Sequence, residues 1–108
     1  MATFYLKKGD TLPVVDAKLG SLATGAEDLT GATVLFRLRK RGASTNAISA
    51  PAAIVSPTEG TVRYSWIDGD TTSLGIYDGE FVVTFSDGKV KTFPNNGYFI
   101  IEITANLS

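Results

Sequence analysis

Hydrophobic and polar residues alternate along most of this chain, in short segments separated by Gly, Asp, Asn and Pro. In the clearest segment, Val34, Phe36 and Leu38 fall on one face of a predicted strand, and the residues between them fall on the other. The same alternation predicts strands near residues 4–7, 15–19, 61–66, 76–85, 89–93 and 98–103. We therefore expect an all-β fold, an immunoglobulin-like antiparallel two-sheet β-sandwich of about seven to nine strands.

Residues 42–57 are predicted to be the least regular part of the chain. Within it only weak edge strands are expected, at Ala47–Ile48 and Ala52–Val55, because Pro51 and Pro57 have no amide hydrogen to donate. The segment is apolar for a solvated connection, and two interpretations follow. It docks on a neighbouring subunit through Ala47, Ile48 and Ala52, or it forms an edge hairpin that covers the core of its own subunit.

One short helical turn is predicted at the segment Asp70–Gly75, in which Asp70 would cap the amides of Thr72 and Ser73. Gly75 stands two residues before Tyr77, at the start of the longest predicted strand. This spacing is typical of the tyrosine corner of immunoglobulin-like sandwiches, in which the tyrosine hydroxyl bonds back to the preceding turn. The alternative is a core tyrosine whose hydroxyl lies at the rim.

The length and composition limit the range of functions. The 108 residues fit a single domain, 1–108, and contain neither Cys nor His. Disulfides, thiol chemistry and the commonest general base and metal ligand are therefore missing. The net charge is −1, and the basic cluster at residues 37–41 alternates with apolar residues as on the exposed face of a strand. We expect no nucleic-acid partner and no membrane span, and synthesis in the cytoplasm.

No pattern of catalytic or cofactor-binding residues stands out. Asp68, Asp70, Asp78 and Glu80 supply oxygens for a cation, but the spacing of a calcium loop is missing, and turn formation explains the aspartates. No nucleophile elbow, Ser-x-x-Lys pair or phosphate-binding glycine loop occurs. The sequence predicts a protein that is not an enzyme and has no cofactor or metal.

Aromatic residues offer the remaining signal of a binding site. Trp66 is in phase with Val62 and Tyr64, so we expect it in the core. Tyr5 and Tyr98 are out of phase with the apolar residues around them, so we expect both to be exposed. Exposed aromatics mark protein contacts or flat platforms for sugars, and on a small sandwich we favour the protein contact.

Five motifs resemble a known family when they are taken in order along the chain. They are Lys8–Thr11, Asp28–Val34, Gly60–Trp66, Gly75–Phe81 and Thr92–Tyr98. In this order they resemble the immunoglobulin-like N-terminal domain of the baseplate upper protein of tailed phages. The resemblance extends from about Phe4 to Ile103.

This resemblance implies a structural and attachment module in a phage tail, baseplate or fibre, located in the virion and assembled in the bacterial cytoplasm. Its expected partners are other phage structural proteins, including further copies of itself. Baseplate upper proteins continue into coiled-coil regions, whereas this sequence has no trimerising heptads. The alternative is a capsid decoration or neck accessory protein, with host-surface carbohydrate as a further ligand.

Overall fold

The computed structural model describes residues 3–21, 25–94 and 97–107, and these residues form an all-β fold without a helix. The all-β part of the predicted fold class is therefore confirmed. The strands of the described residues are β1 (Thr3–Lys7), β2 (Val15–Lys18), β3 (Gly20–Ser21), β4 (Gly25–Ala26), β5 (Thr33–Lys40), β6 (Ile48–Ser56), β7 (Thr61–Tyr64), β8 (Gly75–Thr84), β9 (Val90–Phe93) and β10 (Phe99–Thr104). The predicted turn after β9 falls partly on residues 95–96, which lie outside the described ranges.

The strands follow one continuous path, in the order β1-β10-β8-β5-β6-β7-β2, while β9 pairs with β8 and β3 pairs with β4. The path curves into a nearly closed sandwich or barrel. Neighbouring strands are antiparallel except β1, which runs parallel to β10. The prediction of a purely antiparallel arrangement is therefore wrong at this edge. These two strands lie far apart in the sequence, so no hairpin forces them to be antiparallel.

The prediction of an irregular segment over residues 42–57 is also wrong for residues 48–56, although residues 42–47 are irregular. Strand β6 covers Ile48–Ser56 and lies between β5 and β7. Residues 48–52 pair with β5, and the pairing then passes to β7 from Ala53 onward. Pro51 pairs with Leu35 of β5 and has no pairing neighbour on β7, so the strand accommodates a residue that has no amide hydrogen.

The inward faces of the strands form a single cluster of buried side chains. Burial alternates along β5, β8 and β10, as the sequence predicts, and Trp66 is buried with 5% of its surface exposed. The ring of Phe36 is fully buried and stacks on Tyr64 at a centroid distance of 4.2 Å. Phe81 and Phe99 complete the aromatic centre, with their ring centroids 5.4 Å and 5.9 Å from that of Phe36.

Gly79 has a structural role in this aromatic centre. It lies on the inward face of β8, directly opposite Phe99 of β10. A Cβ atom at residue 79 would overlap the Phe99 ring, so the ring occupies the space that a side chain would need. A glycine in the middle of a long strand is thus explained by packing.

Candidate functional site

The residues predicted to form an interface do not lie on one surface. Tyr5 and Tyr98 are exposed over 67% and 48% of their surfaces, and Ala47 is exposed in the turn before β6. Ile48 is buried with 8% exposed, and Ala52 packs against the core. The prediction must be corrected for these two residues, because both take part in the core of their own subunit. The edge-hairpin alternative is closer to the structure, although β6 is not an edge strand.

The turn before β8 holds Tyr77 by the hydrogen bond that defines a tyrosine corner. Tyr77 is buried with 3% exposed, and its hydroxyl donates to the Ser73 carbonyl at 2.7 Å. Gly75 adopts φ +145°, a conformation that residues with a side chain rarely adopt. The described backbone here forms turns and no helix, so the predicted helical turn is wrong.

Asp70 has a different role from the predicted cap on Thr72 and Ser73. Its Oδ2 accepts hydrogen bonds from the Tyr64 hydroxyl at 2.6 Å and from the Ile67 amide at 2.9 Å. Burial raises the pKa of Tyr64 well above its ordinary value, and the bond to the Asp70 carboxylate raises it further. Asp70 therefore ties the turn to the aromatic centre through Tyr64.

One end of the sandwich is built from the loops 8–14 and 65–74, which are hydrogen-bonded to each other. The Gly9 amide donates to the Thr71 carbonyl at 3.1 Å, and the Thr71 hydroxyl donates to the Asp10 carbonyl at 2.7 Å. The indole of Trp66 donates to the Pro13 carbonyl at 2.9 Å. These cross-links fix the two loops relative to the core.

This loop end exposes three aliphatic side chains that are not among the predicted interface residues. Leu12, Ile67 and Leu74 expose 70%, 65% and 41% of their surfaces. We call these three residues the apolar loop end. Single exposed aliphatic residues are ordinary on proteins, and because these three lie on two loops that are joined by hydrogen bonds, we consider them together as a candidate contact surface. No strand alternation marks them, so periodicity could not have identified them.

A second feature lies on the outer face of β5 and β8. It is a cleft with a volume of about 160 Å³, lined by Arg37, Arg39, Asn46, Asp78, Glu80 and Tyr98. The strand register places Arg37 opposite Glu80 and Arg39 opposite Asp78. We call it the polar cleft. Of the residues predicted to form an interface, Tyr98 alone lines it.

The charged side chains of the polar cleft are only partly paired among the described residues. Arg41 lies beside the cleft and forms an ion pair with Asp78, with Nη2 and Oδ1 2.7 Å apart. Arg39 donates from Nε to the Asn46 side-chain oxygen at 3.0 Å. Arg37 Nε is buried and has no hydrogen-bond partner among the described residues. The lining of the cleft thus combines donor and acceptor groups of both charges.

The described residues contain no group of three or more His, Cys, Asp or Glu side chains that could hold a metal ion. Asp70 and Asp78, two of the oxygen donors considered for a cation, are engaged by Tyr64 and Arg41. Within the same ranges, no helix has the length and apolar character that crossing a membrane requires.

Comparison with known proteins gives a likeness of fold. No protein-family model matches the chain, and no curated protein matches it. Among solved structures, it is similar to the crystal structure of CopC from Methylosinus trichosporium OB3b. The TM-score is 0.56 and the identity 12%, over 100% of this chain and 89% of that chain. At this low identity the likeness shows the fold alone.

Proposed function

We propose that this chain is a non-enzymatic structural component of a tailed-phage virion, of the tail, baseplate or fibre-attachment type. It acts through contacts with other phage structural proteins, including further copies of itself. The proposal is supported by the five ordered motifs that resemble the baseplate upper protein family. Two of these motifs contain Trp66 and Tyr77, which are buried residues with specific hydrogen bonds in the structure.

Within this proposal, the fold is an immunoglobulin-like sandwich of two sheets. One sheet contains β1, β10, β8, β5, β9 and the first half of β6, and the other contains β7, β2 and the second half of β6. The change of partner along β6 and the hydrogen bond from Tyr77 to Ser73 support this assignment.

The observation that carries the proposed function is the apolar loop end. Leu12, Ile67 and Leu74 are presented on loops that are already held in place, so a partner loses little loop entropy when it binds there. A symmetric particle repeats such a surface many times, and weak individual contacts then add up through avidity. A small contact surface is therefore sufficient for a virion protein.

The test compares variants of the chain in particles of the phage that encodes it. Leu12→Ser combined with Ile67→Ser removes two of the three exposed aliphatic side chains. A buried side chain of this size contributes about 1.5–3 kcal/mol, so we expect at least about tenfold fewer copies per purified particle. The matched control is Val55→Ser, which replaces an aliphatic residue that is 54% exposed on β6. This control should be incorporated normally.

Two outcomes would count against the proposal, at different levels. Absence of the unsubstituted chain from purified particles would overturn the proposed function. Normal incorporation of the double variant would leave the function standing but overturn the role of the apolar loop end. Far-UV circular dichroism of the isolated variants shows that any loss does not come from unfolding.

A second candidate function is a capsid decoration or neck accessory protein that also binds host-surface carbohydrate. One observation favours the carbohydrate part of this alternative. The polar cleft places the exposed ring of Tyr98 next to carboxylate, guanidinium and amide groups. The same particle measurement, made separately on heads and on tails, distinguishes a capsid decoration protein from a tail protein. A capsid decoration protein would be found with heads that have no tails.

A further inference from the structure

We infer that the polar cleft binds a single uncharged sugar ring. Tyr98 would pack against one face of the ring, and the charged side chains would form hydrogen bonds with its hydroxyl groups. This inference deepens the second candidate function and rests on it. It is independent of the apolar loop end, which lies on other residues.

The size of the cleft restricts the ligand. Pockets for drug-sized molecules have volumes of roughly 300–1,000 Å³. The polar cleft is smaller, at about 160 Å³. A single six-membered ring with its hydroxyl groups fits this volume, whereas a longer chain would extend beyond the cleft along the sheet face.

The charges of the cleft favour a ligand without net charge. Its lining contains two guanidinium groups, Arg37 and Arg39, and two carboxylates, Asp78 and Glu80. A phosphate or a carboxylate ligand would be attracted by the guanidinium groups and repelled by the carboxylates. A cation would be attracted by the carboxylates and repelled by the guanidinium groups. A neutral polyhydroxyl ligand avoids both repulsions and can use all four groups.

The hydrogen-bonding groups of the cleft match a ring with neighbouring hydroxyls. Each hydroxyl both donates and accepts, so its ideal surroundings contain donors and acceptors side by side. Arg37 contributes its guanidinium group to the lining, and the Nε of this group is itself buried without a partner among the described residues. Glu80, its cross-strand neighbour, offers carboxylate oxygens that form no hydrogen bond or ion pair with a described residue. Together they form a donor and acceptor pair on adjacent strands.

Two other walls of the cleft are already fixed in position. The bond from Arg39 to Asn46 orients both side chains, and the Asn46 amide hydrogens have no acceptor among the described residues. Asp78 is held by Arg41 from outside the cleft. Side chains that are ordered before binding lose less entropy when the ligand arrives. The arrangement therefore has the features of a formed site, although a small ligand would bind with a dissociation constant on the order of 1 mM.

The test is a titration of the isotope-labelled protein with single sugars, followed by amide chemical shifts. The probes are glucose, galactose and N-acetylglucosamine, with inorganic phosphate as a charged probe. We expect at least one sugar to saturate, with shifts confined to residues 37–39, 46, 78–80 and 98. Tyr98→Ala should weaken binding at least about tenfold, and Glu80→Gln should also weaken it. Tyr5→Ala, which removes an exposed tyrosine from outside the cleft, should leave binding unchanged.

The inference is overturned if no sugar shifts these amides, if phosphate alone does so, or if Tyr98→Ala and Tyr5→Ala behave alike. A separate measurement distinguishes it from the proposed structural function. Tyr98→Ala should be incorporated into particles as well as the unsubstituted chain. Loss of incorporation would show that the cleft is a protein contact, and would overturn the sugar site while supporting the structural function.

Discussion

Replacement of Tyr77 by phenylalanine tests whether the tyrosine corner stabilises the fold. The substitution keeps the buried ring and removes only the hydroxyl that donates to the Ser73 carbonyl at 2.7 Å. Loss of a partner for a buried polar group costs about 1–3 kcal/mol. Ser73 is itself exposed, so water can partly replace the hydroxyl, and we expect a loss of about 1–1.5 kcal/mol.

Urea unfolding measures this loss, with the fluorescence of the single tryptophan as the signal. Trp66 is buried, so its emission should report the loss of the folded state. For a chain of this size, each kcal/mol corresponds to about 4–8 °C in melting temperature, so Tyr77→Phe should also melt about 4–12 °C lower.

The matched control is Tyr5→Phe, because Tyr5 is 67% exposed and its hydroxyl has no hydrogen bond to a described residue. Its stability should change by less than about 0.5 kcal/mol. Equal urea midpoints for Tyr77→Phe and Tyr5→Phe would refute the reasoning. The hydrogen bond from Tyr77 to Ser73 would then contribute no more to stability than the solvent-exposed hydroxyl of Tyr5. A change in the slope of the urea transition would show that the denatured state had changed instead.

Three further predictions concern the aromatic centre. Phe36→Ala empties a fully buried site and should cost about 3–5 kcal/mol in urea unfolding; a loss below about 2 kcal/mol would contradict the central position of this ring. Gly79→Ala places a Cβ against the Phe99 ring and should cost about 1–3 kcal/mol, whereas an unchanged midpoint would show that the ring moves freely. The pKa of Tyr64 is raised by burial and by Asp70. The stability that this protonated hydroxyl contributes is therefore fully present below the unfolded pKa of about 10 and is lost as the pH rises above that value. Urea midpoints between about pH 9 and pH 11 should therefore fall less steeply for Tyr64→Phe than for the unsubstituted protein.

The faces of the strongly alternating strands could be predicted from the sequence. In β5, large apolar residues such as Phe36 alternate with arginines, and this contrast assigns the buried face directly. Strand β6 has no such contrast, because it consists largely of Ala, Ser and Pro between Ile48 and Ser56. Its position depends on β5, which pairs with its first half, and on β7, which pairs with its second half, and not on its own pattern.

The candidate surfaces were predictable only in part. Alternation places Arg37 and Glu80 on outward faces, but the register that sets them opposite each other joins strands far apart in the sequence. The apolar loop end depends on hydrogen bonds between two loops that have no periodicity of their own, such as the bond from Trp66 to Pro13. Tyr98 was predicted to be exposed, but its neighbours in the cleft follow from the tertiary structure alone.

The proposed function is tested most directly by the number of copies of this chain in purified phage particles, measured by quantitative mass spectrometry. Closed particles repeat their parts by symmetry, so the account predicts a fixed whole-number ratio between this chain and a known structural protein of the same particle. The ratio should persist through repeated density-gradient purification. A chain that is abundant in infected cells but absent from the particles, or present in a ratio that falls with each purification step, would contradict the account.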